Sequence, residues 1–284
     1  MPRTGALALV PVTLLIALLA ACAPPTTELP AGVTVSVFQN RFDYGVRQLE
    51  LKVSNDTEAP VTVTRASLES SRFATPAVWD RPQVVPAGAA RDLRVQLTEP
   101  VCGEPVRDRV VLEFTLADGR SGTASVEPTD ETGRLDAVNA EDCLGLAVAA
   151  IATIEAGDTV QWTAGARSPA VLDILVTPTG AAGEVTVHFA KGTVLLSLVD
   201  GTGAEGYDLP VEASFDATTP AGIIQLHLVP ARCDPHAVAE DKRGTFFPLE
   251  VETSDGAVGR IYVPVSNEVR STLYTFFGDY CGLP

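Results

Sequence analysis

The side chains able to do chemistry fall into a few separable groups. The chain has only three histidines, His188, His227 and His236. His188 lies in Val-Thr-Val-His-Phe and His227 in Gln-Leu-His-Leu. Each takes a polar slot of an alternating run, where an imidazole decorates a sheet face rather than binding a ligand. His236 has ionisable company, so Asp234, His236 and Glu240 are candidate binding residues that could converge on a cation or a partner. The same stretch also reads as a loop entering a capped helical turn, because Asp-Pro suits a helix start. A second group is Asp200, Glu205 and Asp208, in an acidic, glycine-rich loop. Carboxylates so placed can bind calcium, but an EF-hand needs acids at alternate positions and a closing Glu, and a hairpin loop explains the glycines. There is no Gly-x-Ser-x-Gly elbow, His-Glu-x-x-His pair or phosphate-cradling loop before a helix. The expectation is a protein with no catalytic residue, no metal site and no cofactor.

Five cysteines carry the remaining chemistry. Cys22 ends the run Leu19-Ala20-Ala21-Cys22. Arg3 and an apolar stretch over 6–21 precede it, and Pro24, Pro25, Thr26 and Thr27 follow. A positive start, a short apolar run and small residues before the cut mark a secretory signal. With a cysteine next in line, the segment resembles a bacterial lipoprotein signal. The resemblance implies removal of 1–21, a diacylglycerol thioether on the Cys22 sulfur and an acyl chain on the freed amine. Two or more chains hold a protein stably where one does not. The implied location is the cell membrane, lipid-anchored on its extracytoplasmic face. The run over 6–23 could just span a bilayer. Its alanine content, Pro11 and the lack of a following basic cluster favour a cleaved signal.

Setting Cys22 aside leaves Cys102, Cys143, Cys233 and Cys281, an even number that reads as two disulfides with three possible connectivities. None forms a C-x-x-C pair, which argues against a zinc or thioredoxin-like site. An internal repeat selects among the pairings. Cys102 is followed by an expected strand over 109–116, then Asp118-Gly119, with Cys143 closing the segment 25 positions beyond Asp118. Cys233 is followed by an expected strand over 245–252, then Asp255-Gly256, with Cys281 closing 26 positions beyond Asp255. Asp-Gly suits a tight hairpin. The repeat pairs Cys102 with Cys143 and Cys233 with Cys281, each bond stabilising by roughly 4 kcal/mol in the chain-entropy model.

Composition excludes some partners. The net charge is −16 and the pI about 4.5, which argues against nucleic acid, since phosphate binding needs a basic stripe. It also argues against a protein lying flat on anionic lipid. The acidity is dispersed, with 12 basic and 19 acidic residues over 22–146 and 7 basic and 17 acidic over 147–284. A single methionine disfavours a thioether copper site.

The elements that must position these groups are strands. Period-two alternation runs through Leu49, Leu51 and Val53, through Leu93, Val95 and Leu97, and through Val110, Leu112 and Phe114. It resumes from Val171 onward, with turn residues between the runs, as in β-sandwiches. The segments at 51–63 and 85–89 are similar to parts of immunoglobulin-like domains of bacterial envelope proteins. The expected fold class is therefore all-β: two tandem immunoglobulin-like β-sandwich domains, each with one disulfide, after a signal peptide. The expected divisions are 1–21 signal, 22–30 lipidated tether, 31–146 first domain and 147–284 second domain, with an apolar linker near 146–150. Helix should be sparse, with a short one after Asp234 and another near 271–277. Tyr274, Phe276, Phe277 and Tyr280 either fill core or form an exposed partner or glycan surface. The expected function is a non-enzymatic, membrane-anchored lipoprotein that scaffolds or binds an envelope protein or glycan. The alternatives are an envelope hydrolase and a metal- or glycan-binding module.

Overall fold

The computed structural model describes residues 28–239, 241 and 243–283. Cys22, the 1–21 stretch and Glu240 lie outside the described residues. Strands dominate, and every ladder between named strands is antiparallel.

In the first half, β1 (Val33–Phe38), β2 (Gln48–Asn55) and β6 (Ala89–Gln96) form one sheet in the order β1-β2-β6. The second sheet runs β4 (Ala77–Trp79), β3 (Val61–Ser70), β7 (Asp108–Leu116), β8 (Ser121–Val126), with β5 (Gln83–Val85) also paired to β3. Successive strand side chains point to opposite faces. Val35, Leu51 and Val95 of one sheet therefore meet Val63, Leu112 and Phe114 of the other in one core.

In the second half, one sheet has the order β13 (Glu205–Gly206), β12 (Leu196–Val199), β15 (Gly222–Pro230), β10 (Ala170–Pro178), β9 (Ala152–Gln161). The other has the order β14 (Asp208–Asp216), β11 (Glu184–Lys191), β16 (Phe246–Thr253), β17 (Val258–Pro264). Leu172, Ile174 and Leu226 face Val187, Phe247 and Leu249 in a separate core. The architecture is β-sandwich in both halves. The disulfides join Cys102 to Cys143 and Cys233 to Cys281, the pairing that the repeated spacing implies.

Helix departs from the sequence reading. The expected linker near 146–150 is helical, part of α1 (Arg134–Ile151). The Asp130 carboxylate accepts from the Arg134 and Leu135 backbone N–H groups at 2.7 and 2.8 Å and so starts α1. Ala137, Ala140, Ala147, Ala149 and Ala150 favour the helix, alanine being the best helix former. The start expected after Asp234 yields only α2 (Pro235–Ala239). The segment expected near 271–277 extends to α3 (Asn267–Cys281), where the Ser266 hydroxyl accepts from Val269 N–H at 3.2 Å. Both closing cysteines thus sit on helices, Cys143 on α1 and Cys281 on α3. The strand–turn–strand repeat holds, with β7 and β8 around Asp118-Gly119 and β16 and β17 around Asp255-Gly256. Gly119 and Gly256 take φ of 87° and 89°.

Leu135 and Val138 of α1 bury in the first core, whereas Leu144, Val148 and Ile151 bury in the second. At 3.6 residues per turn, the two groups point roughly 140° apart. The Asn139 amide donates to the carbonyls of Arg72 and Val101, both at 3.1 Å, and Arg72 pairs with Asp136 at 2.7 Å. At the other end, a Cβ on Gly259 would stand 2.9 Å from a Leu144 methyl, so glycine lets β17 approach the helix. Among the described residues, no helix is long and apolar enough to cross a membrane.

Candidate functional site

The seam between the two halves opens into a cleft of about 400 Å³ along one side of α1. Its polar lining is mostly arginine and tyrosine, brought together from distant segments. Tyr44 and Arg47 come from the turn after β1, a 3-10 turn spanning Tyr44–Val46. A Cβ on the intervening Gly45 would stand 3.2 Å from the Phe246 ring, a close approach of this turn to the second half that glycine eases. Arg134, Glu141, Asp142 and Leu146 come from α1, Arg243 from the turn before β16, and Arg260 and Tyr262 from β17.

The cationic groups are held in distinct ways. Arg47 grips Asp142 with two bonds, Nε to Oδ1 at 3.2 Å and Nη2 to Oδ2 at 2.7 Å, and donates to the Thr98 carbonyl at 3.0 Å. Arg134 donates to both Glu141 oxygens at 3.2 and 3.3 Å. Arg260 donates to Glu250 at 3.1 Å, and Lys191 reaches the same oxygen at 3.1 Å. Burial alone would push the Glu250 carboxyl up, but the Arg260 and Lys191 donors outweigh it and hold it below its ordinary value. Arg243 has no carboxylate partner among the described residues. Its guanidinium carbon lies 4.7 Å from the Tyr44 ring centroid and 4.0 Å from that of Tyr262. Arg134 covers the Tyr44 ring at 4.8 Å, so cation and ring alternate across the seam.

The turn carrying Arg243 is braced from beneath. Asp241 accepts from the Arg243 backbone N–H at 3.2 Å and from the Tyr274 hydroxyl at 2.9 Å. Burial, reinforced by this bond to a carboxylate, pushes the Tyr274 hydroxyl up to about 12. Tyr274 therefore remains a donor across the biological pH range. Among the described residues, no serine, threonine, cysteine, histidine or lysine lines the cleft, and Glu141 and Asp142 are tied to arginines. The arrangement presents guanidinium groups and aromatic rings to a complementary group.

The sequence candidates lie elsewhere. The Asp234 carboxylate accepts from the His236 backbone N–H at 3.0 Å, so it serves its own helical turn, and the His236 side chain is exposed. Glu240 is outside the described residues, so the grouping with Glu240 has no geometry here. In the 200–208 loop, Asp200 accepts from the backbone N–H of Thr202 and Ala204 and from the Thr202 hydroxyl, led by the hydroxyl in holding its carboxyl below the ordinary value. Asp208 pairs with Lys191 at 2.9 Å. Asp200 thus serves its own turn and Asp208 the ladder between β11 and β14, and no group of three potential metal ligands occurs among the described residues. Phe276 and Phe277 are fully buried, while Trp162 and Tyr280 pack edge-on against Phe276. The aromatic run before Cys281 is chiefly core.

Sequence reasoning missed Tyr44, Arg134 and Arg243 as a group, because no local spacing links them. It also read His188 as plain sheet decoration. Its ring nitrogens lie 3.0 Å from Glu212 and 3.2 Å from Glu252, on the two neighbouring strands. The bonds to Glu212 and Glu252 raise its pKa above the ordinary value.

No protein-family model matches the chain, and no curated protein matches it. Among solved structures it is similar to a red sea bream transglutaminase at 12% identity, covering 84% of this chain and 32% of that one, with a TM-score of 0.24. It is also similar to the BSP domain of a biofilm associated protein at 10% identity, covering 84% and 61%, with a TM-score of 0.25. For the B domain of a biofilm associated protein the values are 10%, 82% and 83%, and 0.24. The chain thus spans less than two thirds of the first two. None of these likenesses identifies an enzyme family.

Proposed function

We propose that this chain is a non-enzymatic extracytoplasmic lipoprotein, anchored to the cell membrane through Cys22, that holds an envelope component in the cleft between its halves. In this reading 1–21 is a cleaved signal and 22–30 a lipidated tether. The regions 31–146 and 147–284 are two tandem immunoglobulin-like sandwiches joined through α1. The eight residues after Cys22 reach at most about 25–28 Å, which keeps the first half near the bilayer. The observation that carries the reading is the cleft itself. It gathers Arg47, Arg134, Arg243 and Arg260 with two tyrosines from both halves, in a chain of net charge −16. Arginine and tyrosine are, with tryptophan, the residues enriched where proteins recognise partners.

The test places a photo-crosslinking amino acid in living cells at Leu146, which is exposed and lines the cleft, or at Val84, which is exposed and does not. The expected result is an adduct from Leu146 and none from Val84, with the Leu146 adduct lost in Cys22→Ser. Palmitate labelling should mark the wild type and not that variant. Equal adducts from both positions, or labelling of Cys22→Ser, would overturn the proposal.

A further inference from the structure

We infer that the cleft recognises an oxyanion on its ligand, a carboxylate or a phosphate group, through the guanidinium N–H donors of Arg243. The inference rests on the reading of the cleft as the binding site and names the chemistry it would select.

Charge is the first observation. Arg47 and Arg134 are each matched by one α1 carboxylate, and Arg260 shares Glu250 with Lys191. Arg243 is left with ring contacts alone among the described residues. Glu99, exposed on the rim, is the cleft acid with no ion pair to a described residue. A guanidinium with no ion pair to a described residue, held against two rings, is partly stripped of water, a cost that an arriving anion offsets.

Geometry is the second observation. A guanidinium has five N–H donors in one plane and no acceptor. The Arg243 guanidinium lies over both the Tyr44 and the Tyr262 ring, so the N–H donors it does not turn to the rings are the ones a ligand can reach. Parallel N–H bonds from a guanidinium match the paired oxygens of a carboxylate or a phosphate. The backbone of the turn is fixed beforehand by Asp241 and Tyr274, which leaves less freedom to be lost on binding.

A strut between the halves is the competing role for Arg243, and the test separates the two. Full-length protein in detergent micelles is titrated calorimetrically at low salt with glutarate and, separately, with inorganic phosphate. Saturable binding of at least one probe is expected, and the stronger arm identifies the oxyanion. Arg243→Ala should weaken it about tenfold or more, the loss of a charge-assisted bond. Arg243→Lys keeps the charge but not the fork and should also weaken it several-fold. Salt at about 0.5 M should weaken wild-type binding by screening. If Arg243→Ala fails to fold, Arg243→Lys together with the upward shift of the wild-type melting temperature by the bound probe decides the matter. Wild-type protein that binds neither probe, or variants that bind like wild type, would overturn the inference. A Leu146 adduct that persists without oxyanion binding would remove this inference and leave the cleft as the docking site. Oxyanion binding with no adduct from Leu146 would remove the proposed function instead.

Discussion

Helices α1 and α3 occupy the same place in the repeat. Each follows an Asp-Gly hairpin, and each carries the cysteine that closes the disulfide of its half. Their packing differs. Val269, Leu273, Phe276 and Phe277 of α3 lie on one stripe about 100° wide and enter one core. The buried residues of α1 lie on two opposed stripes and enter both cores. A helix that closes one sandwich has become, in α1, a beam shared by two. Arg134 and Glu141 lie on the surface between its stripes and line the cleft together with Asp142 and Leu146. The same unit therefore supplies stability in one copy and, in the other, stability together with the cleft wall.

The largest expected effect is on the disulfides, where the two copies should behave alike. The loops are 41 and 48 residues, so replacing either cysteine pair by serine should cost about 4 kcal/mol, read from urea unfolding. Unequal costs would show that one helix end is held by more than its bond. Next, Leu144→Ala should cost about 3 kcal/mol by opening a cavity under α1. That loss should spread to the first half, whereas Phe276→Ala, at about 3–5 kcal/mol, acts from within the second core. Asn139→Ala leaves the carbonyls of Arg72 and Val101 without their donor. It should cost about 2 kcal/mol and speed hydrogen exchange at 100–103 more than in β17.

The smallest effects are in pH dependence, and each half has its own source. In the first half, Glu50 is buried beside Asp43 and bonded to Arg94, with desolvation the leading cause of its raised pKa. The folded form binds this proton more tightly than the unfolded chain. The stabilisation is full below the ordinary 4.5 and is lost as pH rises through the raised value. Glu50→Gln should flatten that part of the stability curve. In the second half, bonds to Glu212 and Glu252 raise His188 above 6.5. Its contribution is full below 6.5 and is lost as pH rises through the folded value. An NMR titration of the His188 ring should show the raised midpoint, and Glu212→Gln should lower it.

Much of the fold was legible in the sequence. Alternation at Leu49, Leu51 and Val53 and at Val110, Leu112 and Phe114 marks strands because each has one buried face. The Asp-Gly pairs and cysteine spacing mark the repeat because hairpins and disulfides have local signatures. Helix α1 was not legible, because its two opposed apolar stripes cancel the single-face periodicity that identifies a surface helix. Its alanines then read as an apolar linker. The cleft was less legible still. Tyr44, Arg134, Arg243 and Tyr262 are neighbours only after both sandwiches have closed, and each alone passes for a surface charge or a core ring.

The shared-beam role of α1 is tested most directly with the two tryptophans, one in each half: Trp79 on β4 and Trp162 just after β9. Single-tryptophan proteins, Trp162→Phe and Trp79→Phe, report the two halves separately during urea unfolding. Coupling through α1 predicts coincident transitions at both probes, with Leu144→Ala lowering both midpoints together. Two separate transitions, with Leu144→Ala moving only the Trp162 signal, would contradict it.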